Sequence, residues 1–290
     1  MALVSVVIPT HNRARCIERA ISSVLAQTCA DFELIVVDDG STDDTARVVE
    51  ECARKDSRIR LIEHRHRKGA QAARNTGIFA AAGKWIAFLD SDDEWLHDSL
   101  TVRLQLSQQG EFQVVHSECY VANQGSMELR LFGHPSLQGR VYQALLRKPG
   151  TLFPSLLISK DCLKRIGYLD ETILSYQEWE TSIRLAKYYR FAFVGEPTFI
   201  YDRHSADTIS RNLLRTAQGY EQVVSKHHWS ILRHLGPKAL ASHYYKAAEL
   251  YREAKDERRA CCCSNMAIVL WPFRPRTIWR GIYRVLRSGF

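Results

Sequence analysis

The sequence predicts an α/β fold in which a mainly parallel, Rossmann-like sheet is flanked by helices and followed by a helical C-terminal extension. Short apolar runs alternate with amphipathic stretches of helical length along the first hundred residues, which is the pattern of consecutive βαβ units. The first run, residues 4–8, is apolar almost throughout, as expected for a strand buried on both faces of a parallel sheet. Hydrophobic residues at 46% and charged residues at 25% are ordinary for a globular protein.

The predicted elements of this part follow one another in a regular order. The first helix carries its apolar residues on one stripe, at Ile17, Ile21, Val24 and Leu25. The strands are predicted at residues 4–8, 32–37, 59–63 and 85–89, and the helices between them at residues 14–27, 43–54 and 69–82. Because crossovers between parallel strands are right-handed, the carboxyl ends of the strands should gather on one rim of the sheet.

Polar residues follow three of these strands, at residues 10–13, 38–40 and 90–92. Open α/β sheets bind ligands at the carboxyl ends of their strands, so these groups should converge on one crevice. If the chain stays extended, the carboxylates of Asp90 and Asp92 point the same way. Such a pair suits Mg²⁺ or Mn²⁺ together with a substrate diphosphate, although a solvated acidic turn is the alternative for this pattern alone.

Several functional classes are disfavoured by what the sequence lacks. The dinucleotide fingerprint G-x-G-x-x-G and the phosphate loop G-x-x-x-x-G-K-[ST] are both absent. No apolar stretch reaches the 18 residues of a membrane span, and the first residues lack the basic start of a signal peptide, so we expect a cytoplasmic protein. The eight cysteines are predicted to be buried free thiols.

The net charge of +8 is unevenly distributed along the chain. Residues 201–290 carry 16 Lys and Arg against 7 Asp and Glu, whereas residues 1–200 carry 24 against 25. This asymmetry predicts a basic C-terminal surface that meets an anionic partner. A nucleic-acid-binding protein is disfavoured, because that function would not explain the acids that converge at the rim.

Four sequence blocks resemble, in order and in spacing, those of the family 2 glycosyltransferases, as found in bacterial enzymes that build cell-surface glycans. The blocks are residues 4–13, 33–43, 69–77 and 88–93, and the resemblance covers residues 1 to about 205. It implies a GT-A fold with a nucleotide-binding half and an acceptor-binding half. It also implies metal-dependent, inverting transfer of a sugar from a nucleotide-sugar, usually a UDP-sugar, to a hydroxyl of a glycan or lipid-linked acceptor.

The resemblance also implies roles in the donor pocket. Thr10 and Arg13 would edge the nucleotide, and Asp39 would accept a hydrogen bond from the base, usually uracil, whose imide N–H is a donor that cytosine lacks. Asp39 also fits a turn and helix cap, and both roles can coexist. Arg74 resembles the family's contact to the nucleotide phosphates, with an exposed structural arginine as the alternative.

The acidic block resembles the family's metal-binding residues. Asp92 corresponds to the direct ligand of the metal, and Asp90 would reach the ribose, or the metal through a water molecule. The cation, Mn²⁺ or Mg²⁺, would neutralise the diphosphate leaving group.

Residues 176–185 align with the family's Glu-Asp-Trp motif, whose second acid is the proposed catalytic base. Here Gln177 and Glu178 occupy the two acidic positions, so Glu178 is the predicted base and Glu180 the alternative. A base at this place takes the proton of the acceptor hydroxyl as that oxygen attacks the anomeric carbon. The non-catalytic interpretation is a helix N-terminus at which the dipole favours acids. Trp179 either stacks on a sugar ring or is buried in the core.

Three regions are predicted: a nucleotide-sugar-binding half at residues 1–117, an acceptor-binding half at residues 118–212, and a basic helical extension at residues 213–290. Further elements are predicted as a helix at residues 98–109, strands at 112–117, 156–159, 191–194 and 198–201, and helices over 213–262 with breaks near Gly219 and Gly236. His204 is a candidate contact to phosphate or metal.

The last stretch, residues 275–290, contains four arginines and no acid. At 100° per residue the arginines share one face, opposite aliphatic and aromatic residues, and they are Arg276, Arg280, Arg284 and Arg287. This pattern fits an interfacial helix on anionic lipid at the inner face of the cell membrane, with a helix packed on the domain as the alternative.

A sugar-nucleotide pyrophosphorylase is a further alternative, because it shares a related nucleotide half. Such an enzyme normally has a glycine-rich loop after its first strand, and residues 9–13 contain no glycine.

Overall fold

The structure is a computed structural model of the chain and describes residues 3–110, 112–122, 129–131, 137–202 and 212–272. Four parallel strands form its first half. They are β1 (Val4–Thr10), β2 (Phe32–Asp38), β3 (Ile59–Glu63) and β4 (Trp85–Phe88), and the helices between them are α1 (Ile17–Leu25), α2 (Thr45–Lys55) and α3 (Ala70–Ala80). β1 pairs in parallel with β2 and β4, and β2 with β3. The predicted succession of βαβ units is therefore confirmed.

The core of this half lies on both faces of the sheet, as the apolar strand pattern predicts. Every residue of β1 and β4 is buried, and α1 packs Ile17, Ile21 and Val24 into the same core. Helix α3 approaches β1 closely at Gly77, where an added Cβ would lie 2.4 Å from Cγ1 of Val7. The glycine therefore lets the helix that carries Arg74 pack directly on the central strand.

Beyond β4 the sheet becomes mixed. The remaining elements of this part are β5 (Glu94–Trp95), α4 (Ser99–Gln109), β6 (Val114–Ala122), β7 (Leu129–Leu131), α5 (Tyr142–Arg147), a 3₁₀ turn (Phe153–Ser155), β8 (Leu157–Ser159), α6 (Lys160–Arg165), α7 (Gln177–Ala186) and β9 (Phe191–Tyr201). Within the described residues the strand order is β3-β2-β1-β4-β8-β6-β9-β5, with β7 on β6. β8 runs antiparallel to both β4 and β6, so it ends the parallel half.

The prediction of two strands at residues 191–194 and 198–201 is wrong, because β9 is continuous. Val194 pairs with Ser117 of β6, and the next pair joins Pro197 to Glu118. Gly195 and Glu196 therefore form a bulge in the strand rather than a turn between two strands.

The helical extension consists of α8 (Leu213–Lys226), α9 (His228–Leu235), α10 (Pro237–Glu253) and α11 (Glu257–Leu270). The break at Gly236 is confirmed, with φ at +80° and Pro237 as the first residue of α10. The break near Gly219 is wrong, because α8 runs through it. A Cβ at Gly219 would lie 2.4 Å from the backbone N of Ser175, so this glycine permits close packing instead.

The chain divides into two compact units. The first contains the sheet and its helices, and the second contains α8 to α11 together with the short segments Leu146–Pro149 and Ile173–Tyr176. The predicted boundary at residue 117 lies inside β6. His204 and residues 275–290 lie outside the described residues.

No helix in the described part of the chain has the length and apolarity needed to cross a bilayer. The eight cysteines are free thiols, of which Cys52, Cys119, Cys162 and Cys263 are buried.

Candidate active site

The three polar groups that follow β1, β2 and β4 meet at one rim of the sheet. Thr10 lies beside Asp38 in the β1–β2 register, and its carbonyl accepts the N–H of Asp39 at 2.8 Å. Nη2 of Arg13 lies 3.9 Å from Oδ2 of Asp92, which joins the first group to the acidic one. The predicted convergence is therefore present in the fold.

The acidic residues do not continue the strand as an extended chain. The N–H of Asp93 donates to the carbonyl of Asp90 at 3.1 Å, so residues 90–93 form a turn. This turn is not the solvated one of the alternative interpretation, because the side chains of Asp90 and Asp92 are only 32% and 14% exposed. The expectation that these two carboxylates share a strand face is wrong, and their placement is set by the turn instead.

Asp93 is the most deeply buried acid of the turn. Its Oδ1 accepts the N–H of Asp202 at 2.9 Å, and its Oδ2 has no hydrogen-bond partner among the described residues. Burial, followed by the charges of Asp90 and Asp92, raises the pKa of Asp93 well above its ordinary value. Burial and the neighbouring acids therefore both disfavour the ionised form of Asp93.

This donor set fits a hard divalent cation. The described residues contain no preformed cluster of three or more His, Cys, Asp or Glu ligands. Mg²⁺ and Mn²⁺ do not need one when a substrate supplies phosphate oxygens, because one or two carboxylates then suffice. Asp90 and Asp92 offer that number, and the carboxylate oxygens of both are hard donors of the kind these cations prefer.

Arg74 of α3 is buried at the centre of the rim. Its Nη2 donates to Oδ1 of Asp90 at 2.5 Å, and its Nη1 to Oε1 of Gln71 at 3.0 Å and of Gln177 at 3.3 Å. The guanidinium carbon lies 4.2 Å from the centroid of the Phe153 ring, which holds it by a cation–π contact. The alternative of an exposed structural arginine is therefore wrong.

Four buried polar atoms in this region have no hydrogen-bond partner among the described residues: Thr10 Oγ1, Gln71 Nε2, Arg74 Nε and Asp93 Oδ2. Buried polar groups are rarely left unpaired, so their concentration at one rim indicates that ligand atoms complete the site. Gln71 is absent from the predicted site residues. Its position three residues before Arg74 on the same helix is the signal that could have found it.

The carboxylate of Asp39 is buried beneath the loop that joins β3 to α3. It accepts hydrogen bonds from Nδ1 of His64 at 2.8 Å and from the backbone N–H groups of Lys68 at 2.8 Å and Gly69 at 2.7 Å. Gly69 is the residue before α3, so Asp39 holds the start of the helix that carries Arg74. The predicted role of Asp39 in the local turn and cap is wrong, because Oδ1 of Asp38 accepts the N–H of Ser41 at 3.2 Å in that turn.

Glu178 lies half-buried in the first turn of α7. Burial raises the pKa of its carboxyl to about 7, an effect that the charge of Arg74 opposes and that of Asp90 reinforces. A carboxyl with this pKa exchanges a proton near neutral pH, which suits a general base.

Glu180 lies in a different environment. It is fully buried, and Nε and Nη2 of Arg184 hold its two oxygens at 2.8 to 3.0 Å. Arg184 also donates to the carbonyls of Ile166 and Tyr168 at 2.6 Å. The ion pair is structural, and this geometry argues against Glu180 as the alternative base.

Trp179 is fully buried, and its indole N–H donates to the carbonyl of Leu145 at 2.6 Å. The core interpretation of Trp179 is therefore correct, and the sugar-stacking one is wrong.

Comparison with curated proteins finds bacterial relatives. The chain is 40% identical over 125 residues to the Escherichia coli UDP-Glc:alpha-D-GlcNAc-diphosphoundecaprenol beta-1,3-glucosyltransferase WfgD, covering 43% of this chain and 49% of that protein. It is 34% identical over 134 residues to the Campylobacter jejuni GalNAc(5)-diNAcBac-PP-undecaprenol beta-1,3-glucosyltransferase, covering 46% and 43%. An uncharacterized glycosyltransferase of Rickettsia felis matches at 36% over 154 residues, 53% of this chain and 25% of that protein. The chain thus spans a quarter to a half of these relatives.

Solved structures share the fold. Staphylococcus aureus TarS 1–349 in complex with UDP-GlcNAc superposes with a TM-score of 0.66 at 16% identity, over 91% of both chains. The mannosyltransferase PcManGT of Pyrobaculum calidifontis, in complex with GDP-Man and Mn²⁺, has a TM-score of 0.63 at 20% identity, over 95% of this chain and 83% of that one. These likenesses support a GT-A architecture.

The family-wide sequence profile described as Glycosyl transferase family 2 matches residues 5–159, more than half of the chain. That stretch contains the four predicted blocks apart from Val4, and it includes the rim residues described above except Asp202 and those of α7. The chain belongs to the family 2 glycosyltransferases.

Proposed function

We propose that this chain is a metal-dependent, inverting glycosyltransferase that moves a sugar from a UDP-sugar to a hydroxyl of a glycan or lipid-linked acceptor. The observation that carries the proposal is the grouping of Arg74, Asp90 and Glu178. Arg74 is the cation for the phosphates, and it contacts Asp90, the carboxylate for the metal or ribose. The charges of both residues act on the carboxyl of Glu178, whose pKa is about 7. The name of the E. coli relative gives UDP-Glc as its donor and a lipid diphosphate as its acceptor, which supports the same classes here.

The donor would lie along the rim. Thr10 Oγ1 and the carboxylate of Asp39 offer hydrogen-bonding groups to the base, and Arg13 edges the nucleotide. Arg74, buried and still carrying an unpaired Nε, offers charge-assisted hydrogen bonds to the diphosphate.

Asp92 and Asp90 would hold Mn²⁺ or Mg²⁺. When bound, the cation supplies Lewis-acid neutralisation of the diphosphate leaving group. Arg74 would share that task, because its Nη2 contacts the carboxylate of Asp90 at 2.5 Å.

Glu178 would act as the general base. Its ionised carboxylate takes the proton of the acceptor hydroxyl while that oxygen forms a bond to the anomeric carbon, and the bond from this carbon to the diphosphate oxygen breaks. One such in-line displacement inverts the anomeric configuration. The beta linkages in the names of the two relatives agree with inversion of an alpha-linked donor.

The test measures UDP release from a panel of UDP-sugars with lipid diphosphate acceptors, and the anomeric configuration of the product by NMR. The wild type should release UDP with at least one pair and give an inverted linkage. Glu178→Gln should bind UDP normally and lose release by about 10²- to 10⁴-fold. Glu196→Gln, which alters an exposed glutamate of β9, is the matched control. Wild-type release by Glu178→Gln, or a retained configuration, would contradict the proposal.

Family membership sets aside the pyrophosphorylase and nucleic-acid-binding alternatives.

We also propose that residues 275–290 meet anionic lipid at the inner face of the cell membrane, where a lipid-linked acceptor is accessible. The support is the arginine face in the sequence. A chain that ends at residue 274 should float less with anionic phosphatidylglycerol vesicles than the full chain does. Equal flotation of both chains with these vesicles would refute this contact.

A further inference from the structure

His64 is a buried histidine that joins two parts of the donor site. It follows β3 directly, and its Nδ1 lies 2.8 Å from Oδ1 of Asp39. Its Nε2 lies 2.9 Å from Oγ1 of Thr76, which is two residues beyond Arg74 on α3. Since a carboxylate only accepts hydrogen bonds, Nδ1 of His64 carries the hydrogen atom and donates a hydrogen bond to Asp39. In the neutral ring, Nε2 then accepts the hydroxyl proton of Thr76.

The hydrogen bonds to Asp39 leave little of its accepting capacity unused. An ionised carboxylate has about four lone-pair positions on its two oxygens. Oδ1 receives two donors, His64 Nδ1–H and the amide of Lys68, and Oδ2 receives the amide of Gly69. Among the described residues no other donor reaches this carboxylate, so one position remains on Oδ2.

The remaining position lies on a side chain that is almost completely buried. The side chain of Asp39 is 4% exposed. The N–H of Asp39 donates to the carbonyl of Thr10, whose own hydroxyl is buried and unpaired. A ligand that reaches Asp39 therefore meets one carboxylate acceptor and, from the preceding strand, one hydroxyl.

We propose that His64 is a positioning residue that makes Asp39 select the base of the donor nucleotide. This inference rests on the proposed function. By occupying Oδ1, His64 prevents rotation of the carboxylate and leaves one acceptor for a ring N–H. Uracil at N3 and guanine at N1 carry such a donor, whereas cytosine at N3 and adenine at N1 carry an acceptor that Asp39 repels.

The hydrogen bond to Thr76 adds a third residue to the pair formed by His64 and Asp39. Because Thr76 lies on α3, the imidazole is held from its far side by the helix that also carries Arg74. The carboxylate that meets the base and the guanidinium that meets the phosphates are therefore held by the same helix and loop.

The test is calorimetric titration of the full chain with UDP, GDP, CDP and ADP in the presence of Mn²⁺. The variants are His64→Asn, whose amide replaces Nδ1–H, and His64→Gln, whose amide replaces the Nε2 end and keeps the contact to Thr76. The wild type should prefer a base with a ring N–H. His64→Asn should keep that preference, and His64→Gln should narrow it by about tenfold, mainly by weaker binding of the preferred nucleotide.

Thermal unfolding of each variant checks that it is folded, and His64→Leu replaces His64→Gln with the same expectation if the latter does not fold. Unchanged selectivity in His64→Gln, or in His64→Leu where it replaces that variant, would overturn the inference and leave the proposed function intact. Equal weakening towards all four nucleotides would also overturn it, because that is the signature of a purely structural role. A wild type that binds none of the four would overturn both the inference and the proposed function.

Discussion

Two glutamates of α7, Glu178 and Glu180, differ in environment although they are two residues apart. Arg184 occupies both oxygens of Glu180, whereas Glu178 lies where burial and Asp90 favour its protonated form and Arg74 opposes this. The sequence gives no sign of which glutamate pairs with Arg184 beyond an i,i+4 spacing. The difference in partners is what makes Glu178 the candidate base.

The pKa of Glu178 leads to a prediction about pH. A base acts in its ionised form, so a carboxyl with a pKa of about 7 should make turnover rise about tenfold per pH unit below 7 and level off above it. The measurement is kcat between pH 5.5 and 9 at saturating substrates. In Glu178→Gln the residual rate should lack this rise. A wild-type profile that stays flat from pH 6 to 8 would be inconsistent with Glu178 as the base.

Arg74 leads to a prediction about binding. Arg74→Met should weaken UDP binding by about 10- to 100-fold, because charge-assisted hydrogen bonds to the diphosphate are lost, and should leave uridine binding nearly unchanged. Calorimetry with UDP and with uridine measures both. Arg54→Met, an exposed arginine on α2, serves as the control. Equal losses for uridine and UDP would show that Arg74 acts through folding rather than through phosphate.

At the scale of elements, the packing of α3 on β1 depends on a residue without a side chain. Gly77→Ala would put a Cβ 2.4 Å from Cγ1 of Val7, which forces the helix outward. We expect a loss of about 1–3 kcal/mol in the free energy of unfolding, measured by urea denaturation. Gly195→Ala is the matched control, because its nearest new contact would be a ring carbon of Phe193 at 4.0 Å. Equal stability of Gly77→Ala and the wild type would contradict this packing.

The 3₁₀ turn at Phe153–Ser155 is held in place by Arg103, a fully buried residue of α4. Its guanidinium donates to the carbonyls of Ser99, Pro154 and Leu156 and lies 4.6 Å from the centroid of the Trp95 ring. It therefore fixes the 3₁₀ turn whose Phe153 faces Arg74. Arg103→Met removes these hydrogen bonds from buried carbonyls, of which Pro154 keeps one from the indole N–H of Trp95 at 3.0 Å, and should cost about 2–4 kcal/mol of unfolding free energy. A change below about 0.5 kcal/mol in urea denaturation would contradict that role.

The elements also show how far the sequence could predict the fold. Strands β1 to β4 are correct because their apolar runs and the helical stripes between them are local patterns. Gly219 and the stretch from Gly195 to Pro197 are misread because a glycine that permits close packing or a bulge looks, in the sequence, like one that ends an element. Gly219 packs against Ser175, and the bulge at Gly195 lies against β6. Both partners are distant in the chain, so the local sequence does not show them.

At the scale of the whole molecule, the rim is assembled from segments more than 150 residues apart. The predicted residues on the strand ends meet because parallel strands bring their carboxyl ends together, so that part of the site follows from the pattern. Gln71 contacts Arg74 at an i,i+3 spacing that a helical pattern can indicate, whereas His64 and Gln177 join the site through contacts with Asp39 and Arg74 that no local pattern reveals. The turn at residues 90–93 likewise depends on the contacts of Asp93 with Asp202.

The nucleotide site at the rim is tested most directly by calorimetric titration of the wild type with nucleoside diphosphates, once with Mn²⁺ and once with chelator. Binding should favour UDP and require the metal, and Asp92→Ala should weaken it at least about tenfold. Asp161→Ala, which removes an exposed carboxylate on α6, should bind as the wild type does. Absence of binding to every nucleoside diphosphate, with and without metal, would contradict a nucleotide-sugar site at this rim.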